Sequence, residues 1–325
     1  MSDKNLVLVI VGHQGYIRHT EHTGDCAAEE DLLFSAISRT YLPLLRMFRS
    51  LEADGVAFRV TLVLSPVLWA LLDDPVVQKQ YIDWLDARIA LGDRELARLS
   101  SDEAQLPLAR TTLEQYKQDK HDFTETYAQN LLKPFADYAH KGLVELMATA
   151  GSYAFFPHYA DMPEVLNAQV EAGLYSHRRY FGTASEGFWL PYLGYADGVD
   201  KVLRSYGVNY TILDTHALLF SKQMPEAGIF SPVRTHTSLV LFGRDHTTPS
   251  DITGEDGYLH NPAYKNLNAD IGFDLPADAL GDFLAAGQAR VSTGYRYQAQ
   301  SGAVYDVAQA DAQVRRDAER FVGAK

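Results

Sequence analysis

The chain has 325 residues, 46% of them hydrophobic, a formal net charge of -13 and a pI near 5.2. That is enough apolar material for a full core, which excludes a disordered chain, and the acidic balance makes nucleic acid and anionic membranes poor partners. Cys26 is the only cysteine, which excludes an internal disulfide and a thiolate-built zinc site and suits a reducing cytoplasm.

The run "LVLVIV" at 6–11 reads as a first strand. No small-residue cleavage site follows it, and no stretch approaches the roughly 20 apolar residues of a membrane span. Residues 29–51 carry Leu32, Leu33, Ile37, Tyr41, Leu44, Leu45 and Phe48 near helical spacing. A second strand follows in "AFRVTLVLSP", then two or three long polar helices without a strand between them, read as a helical insertion over about 76–141. "LVELMATA" at 143–150 is the third strand. Next comes "DMPEVLNAQVEAGLYSHRRYFG", a helix that Asp161 can cap, with Pro163 in its first turn and Gly182 at its end. "GFWLP" at 187–191, "YTILDT" at 210–215 and "SLVLFGRD" at 238–245 complete the strands, and 247–268, rich in Gly, Pro, Asp and Asn, reads as a long surface loop. Short apolar runs alternating with helices predict a parallel α/β sheet or barrel. With no linker or repeat, the expectation is a single barrel-like domain over 1–325.

In α/β barrels the site lies at the carboxyl ends of the strands. Those ends carry "GHQGYIRHTEH", "AGSYAFFPHY", "PYLGYADG", "DTHA" and "GRDHTTPSD". His13, Asp214, His216, Arg244 and Asp245 are candidates there, each with a bland alternative: a rim hydrogen bond for His13, a buried bonded pair for Asp214 and His216, a loop-fixing ion pair for Arg244 and Asp245. His19 and His22 sit one helical turn apart, but in a charged loop without a second His pair, so no metal site and no cofactor is expected. A divalent-metal deacetylase-like site built on His13, His19, His22 and Asp25 is the weakest of three readings. Nucleophile-elbow, Walker and Rossmann glycine patterns are absent.

Taken together, "GYIRHTEH", "LFSAISRTYLPLLRMFRSLEADGVAFRVTLVLSPVL", "QVEAGLYSHRRYFG", "GFWLPYLGYADGVDKVLRSYGVNYTILDTHA", "LVLFGRD", "DIGFDL" and "STGYRYQ" resemble glycoside hydrolase family 57, most closely its α-1,4-glucan branching enzyme group. The resemblance runs from about 6 to about 321. It implies a distorted seven-stranded (β/α) barrel with a helical insertion after the second strand. It also implies retaining chemistry on α-glucans by a Glu nucleophile and an Asp general acid/base. The family's W-x-P-E-x-G-Y context falls on "WLPYLGY", so Tyr192 stands at the nucleophile position. The opening histidine motif falls on "VGHQGY", with Val11 in place of the first His and His13 and Tyr16 kept. The Thr-His after the third strand becomes Ser152 and Tyr153, and an aromatic of the first helix becomes Leu32. The Trp of the loop after "FGRD" is missing, and the acid-bearing D-x-E-L-F-G-H-W-W segment is not reached before Lys325. Substrate contacts then fall to His13, Tyr16, Tyr153, Trp189, Tyr192, Asp214, His216, Arg244 and Asp245.

Retaining hydrolysis needs two carboxyl groups roughly 5 to 5.5 Å apart. A Tyr hydroxyl, with a pKa of about 10, is a poor nucleophile without a neighbouring base. Glu186, six residues before Tyr192, is too far along the strand to supply one. Two readings lead. One is a cytoplasmic pseudoenzyme that binds an α-glucan, a maltooligosaccharide or a partner enzyme without cleaving glycosidic bonds. The other is an active carbohydrate enzyme, performing branching, transfer or hydrolysis with a second protein chain or with other groups such as Tyr192, Asp214, Asp245 and His13.

Overall fold

The computed structural model describes residues 5–19, 27–284 and 289–325. Seven strands form one sheet: β1 (Val9–Gly12), β2 (Val60–Leu64), β3 (Val144–Thr149), β4 (Gly187–Trp189), β5 (Tyr210–Leu213), β6 (Val233–Arg234) and β7 (Val240–Gly243). Their order is β1-β2-β3-β4-β5-β7-β6, parallel throughout except for β6, which runs antiparallel to β7. The α/β expectation holds; β2 and β3, buried at nearly every position, fall on apolar runs because a strand covered on both faces needs apolar side chains throughout. β6 is the strand the sequence hid: two residues paired at Val233–Leu241 and Arg234–Val240 are too few for a periodic signal. Among the described residues β1 pairs with β2 alone, and no ladder joins β1 to β6. Just before it, Leu6, Val7 and Leu8 are exposed.

The helices are α1 (Ala27–Ala36), α2 (Leu42–Ala53), α3 (Pro66–Leu72), α4 (Pro75–Arg98), α5 (Leu106–His121), α6 (Leu132–His140), α7 (Pro163–Phe181), α8 (Val199–Ser205), α9 (Thr215–Leu219), α10 (Thr247–Thr253) and α11 (Ile271–Asp274). A last long helix spans Val307–Ala324. Only helical elements lie between β2 and β3 among the described residues. Two expectations fail here. Asp161 does not cap α7; Met162 stands at its N-cap without a side-chain bond, since the N-cap falls one residue later than the Asp and a methionine side chain has no oxygen with which to accept. The 247–268 segment is not all loop: Asp245 accepts from the Thr247 backbone N–H and from the Thr247 and Thr248 hydroxyls at the start of α10. No described helix is long and apolar enough to cross a membrane.

The chain divides into two compact units. The first comprises Met1–Tyr16, Arg49–Asp74 and Leu131–Thr248; the second comprises Ile17–Phe48, Pro75–Asn130 and Pro249–Lys325. All seven strands lie in the first. One face of its sheet is sealed by a core of Ala148, Phe188, Leu213 and Leu241 with Leu166, Val170 and Leu203 from α7 and α8. Gly173 lets α7 lie against β3: a Cβ there would stand 1.9 Å from the Thr149 carbonyl oxygen. His177, also on α7 and buried, has Nδ1 2.9 Å from the Thr183 carbonyl oxygen and Nε2 2.9 Å from that of Leu146.

The second unit is built around buried ion pairs. Asp270, fully buried, caps α11 and accepts from the backbone N–H groups of Gly272, Thr293 and Gly294 and from the Ser292 and Thr293 hydroxyls. Arg296 Nε lies 3.1 Å from it. Burial opposes ionisation of Asp270, but these hydrogen bonds outweigh it and hold the carboxyl below the usual range. Arg88, likewise buried, pairs with Asp31 and lies over the Trp84 ring. The "DIGFDL" and "STGYRYQ" segments are thus joined by this buried carboxylate.

Candidate functional site at the strand ends

His13, Tyr16, Tyr153, Trp189, Tyr192, Asp214, His216 and Arg244 all lie in the first unit, at or just beyond the carboxyl ends of β1, β3, β4, β5 and β7. Asp245 is there too, with its carboxylate accepting from Thr247 and Thr248 at the start of α10.

An aromatic group forms at the ends of β1, β3 and β4. His13 Nδ1 is 3.0 Å from the hydroxyl of Ser65, the residue just after β2. The His13 imidazole stacks on Tyr153, with ring centroids 3.9 Å apart and planes at 13°. Burial holds His13 below its ordinary pKa and pushes the Tyr153 hydroxyl up. The turn carrying Tyr153 is clamped to α7 by Gln169: its side chain accepts from the Ser152 N–H and donates to the Ser152 hydroxyl, and its carbonyl accepts from the Gly151 N–H. That clamp keeps Tyr153 at φ +59°, a conformation few non-glycine residues hold. The Tyr192 ring meets Tyr153 edge-on at 5.4 Å and Phe155 at 6.3 Å.

Tyr192 and Leu193 are also left-handed, at φ +56° and +55°. Two successive non-glycine residues in this region store strain of order 1 kcal/mol or more each. The turn is closed by the Leu193 N–H on the Leu190 carbonyl and the Gly194 N–H on that of Pro191. Gly194 is needed as glycine because a Cβ would stand 2.4 Å from the Phe155 ring. The outcome is a tyrosine 68% exposed at the strand end. Trp189, one residue before the turn begins, hands its carbonyl to the Thr149 hydroxyl. Its indole N–H is buried without a hydrogen-bond partner among the described residues.

A polar group forms at the ends of β5 and β7. Asp214 caps α9 by accepting from the His216 N–H at 3.1 Å. The same oxygen, Oδ1, is 2.9 Å from His216 Nδ1, and Arg244 donates to Oδ2. Burial works against the Asp214 charge, but the His216 bonds and the Arg244 guanidinium hold its pKa below the carboxylate range. The Arg244 N–H donates to the Leu213 carbonyl and its own carbonyl accepts from the Thr215 hydroxyl, which locks the two strand ends in register. Tyr16, 70% exposed, joins neither group among the described residues.

Chemically, the first group offers flat ring faces and the second offers an ionised carboxylate with both oxygens engaged beside an exposed imidazole. Sequence reasoning found the residues but not Ser65, Gln169 or Phe155, which position them; a serine before a helix and a helix glutamine carry no signature of such work. Of the metal reading, His22 and Asp25 lie outside the described residues, and His19 Nε2 is 3.4 Å from Glu29 without a hydrogen bond.

This mostly parallel seven-stranded sheet, with the candidate residues gathered at its strand ends, is of the α/β class. The chain belongs to glycosyl hydrolase family 57, whose model matches residues 7–286. It is similar to a 1,4-alpha-glucan branching enzyme of Thermococcus kodakarensis, 24% identical over 228 residues that make up 66% of this chain and 33% of that one. It is also similar in structure to the alpha-amylase AmyC of Thermotoga maritima, with TM-score 0.90 and 28% identity over 98% of this chain and 62% of that one. The GH57-type branching enzyme of Pyrococcus horikoshii shares the fold, at TM-score 0.81 and 20% identity over 98% of this chain and 58% of that one. The chain thus spans about a third of the length of the curated relative above and about three fifths of the two solved neighbours.

Proposed function

We propose that this chain binds an α-glucan at the strand ends of its first unit and does not itself perform retaining glycosidic cleavage or branching. The observation that carries the reading is the state of Asp214: one oxygen faces His216 and the other Arg244, so this carboxylate orients its neighbours instead of attacking a sugar. Asp245 accepts from the Thr247 N–H and from the Thr247 and Thr248 hydroxyls at the start of α10, and the position matched to the family nucleophile is Tyr192. In this reading the seven-stranded sheet is the wall of a distorted barrel, 1–325 is one functional domain, and the glucan lies across Tyr153, Trp189 and Tyr192 with its hydroxyls toward His13, His216 and Arg244. Branching and amylase activity among the relatives supports an α-glucan as ligand, and the single cysteine supports a cytoplasmic location.

A second reading draws on His216. Its Nδ1 is held by a carboxylate while the side chain is 75% exposed, which is how a carboxylate orients an imidazole for proton transfer. An active carbohydrate enzyme could then use His216, with a second polypeptide supplying an acid. A product assay on amylose and maltooligosaccharides, scoring reducing ends and new α-1,6 branches, separates the two. The proposal expects oligosaccharide binding and no turnover, by the protein or by Tyr192→Phe. Turnover that disappears in Tyr192→Phe or His216→Ala overturns it.

A further inference from the structure

The segment between α9 and β6 holds three large apolar side chains in solvent: Phe220, Met224 and Phe230, at 81%, 63% and 91% exposure. Phe220 stands out among them by its neighbour. It lies four residues after His216, one helical turn on, and the two rings are nearly parallel, at 11° with centroids 5.8 Å apart. Its position is fixed by backbone bonds: the Phe220 N–H donates to the His216 carbonyl, and the Ser221 hydroxyl donates toward the carbonyls of Leu218 and Gln223. A flat apolar face is therefore held beside the Asp214–His216–Arg244 group, with its ring in water.

We infer that Phe220 is a saccharide-stacking residue that extends the binding site outward from His216. A pyranose has an apolar face of C–H bonds and an equatorial belt of hydroxyls. The Phe220 ring takes the first, while the exposed His216 imidazole beside it and the exposed Arg244 guanidinium, linked to His216 through Asp214, offer polar partners for the second. An isolated exposed phenylalanine needs no explanation. One stacked on the exposed side chain of a polar cluster, on a connection anchored at its start, is arranged as a rim. This inference rests on the glucan-binding reading above and adds an outer contact to it.

The test is titration calorimetry of maltotriose and maltoheptaose into the wild-type chain, Phe220→Ala, Phe220→Leu and Phe220→Trp, with melting temperature and sedimentation velocity on each. The ring is exposed, so all four should melt together. Stacking predicts that Phe220→Ala weakens maltoheptaose about tenfold, that Phe220→Leu does not rescue it because it lacks a flat face, and that Phe220→Trp does. Wild-type binding that survives unchanged in Phe220→Ala overturns the stacking role and leaves the glucan reading standing. Equal binding by Phe220→Leu reduces the residue to a greasy contact and overturns it as well. A change of oligomeric state in Phe220→Ala reassigns the patch to protein association. No binding of either sugar by the wild type removes the glucan reading, and this inference with it.

Discussion

Two carboxylates, Asp214 in the first unit and Asp270 in the second, show how differently one chain uses the same group. Both cap helices, both face an arginine, and both are held below the usual carboxylate pKa. Asp270 is fully buried and saturated by backbone and hydroxyl donors, so every one of its contacts is internal. Asp214 keeps 30% of its side chain in water, with exposed His216 and Arg244 as its side-chain partners. A depressed pKa alone therefore does not mark a functional group; the exposure of its partners does.

The sharpest way to break that contrast is to remove each charge. Asp270→Ala leaves Arg296 buried beside unpaired hydroxyls and amides, and should cost about 3 to 5 kcal/mol in urea denaturation. Asp214→Asn should cost no more than about 1 kcal/mol, as exposed ion pairs do, while weakening maltoheptaose binding in titration calorimetry. Equal stability losses in the two variants would end the distinction.

An intermediate effect is expected from pH. Burial is the main cause that holds His177, and also His13, below the ordinary histidine value. As pH falls below about 6.5 the unfolded chain takes up protons that the folded chain refuses, so stability is lost on acidification and is fully present above that pH. Urea midpoints at pH 5.5 and 7.5 should show this fall, and His177→Gln should flatten part of it. A slope unchanged in that variant would mean that other groups control the acid limb.

The smallest effect should come from the strained turn. Tyr192→Gly relieves a left-handed tyrosine but adds chain entropy to the unfolded state, so its melting temperature should stay within a few degrees of the parent, in line with a net of about 1 kcal/mol or less. A large drop would show that the ring packing of Tyr192 on Tyr153 and Phe155 holds the turn.

Much of this was legible in the sequence, and the reasons are physical. β2, β3, β5 and β7 lie within the apolar runs, and the residues just after them are the ones that gather at the strand ends. What escaped was set by contacts distant in sequence. β6 exists because β7 offers it an edge, and α10 begins where Asp245 accepts from Thr247 and Thr248, where composition alone reads as loop. The left-handed Tyr153 and Tyr192 were invisible for the same reason: neither is a glycine or asparagine, and only Gln169 and Gly194 make their turns possible.

The first strand of the sheet has a consequence for anyone handling the protein. With β2 on one side and no ladder on the other among the described residues, β1 presents a row of backbone donors and acceptors flanked by the exposed Leu6, Val7 and Leu8. Such a margin is a template on which a second chain can lay its own strand, and nothing on it, neither proline nor inward charge, discourages the pairing. Concentrated stocks are therefore where this molecule is most exposed to adhesion between its own copies.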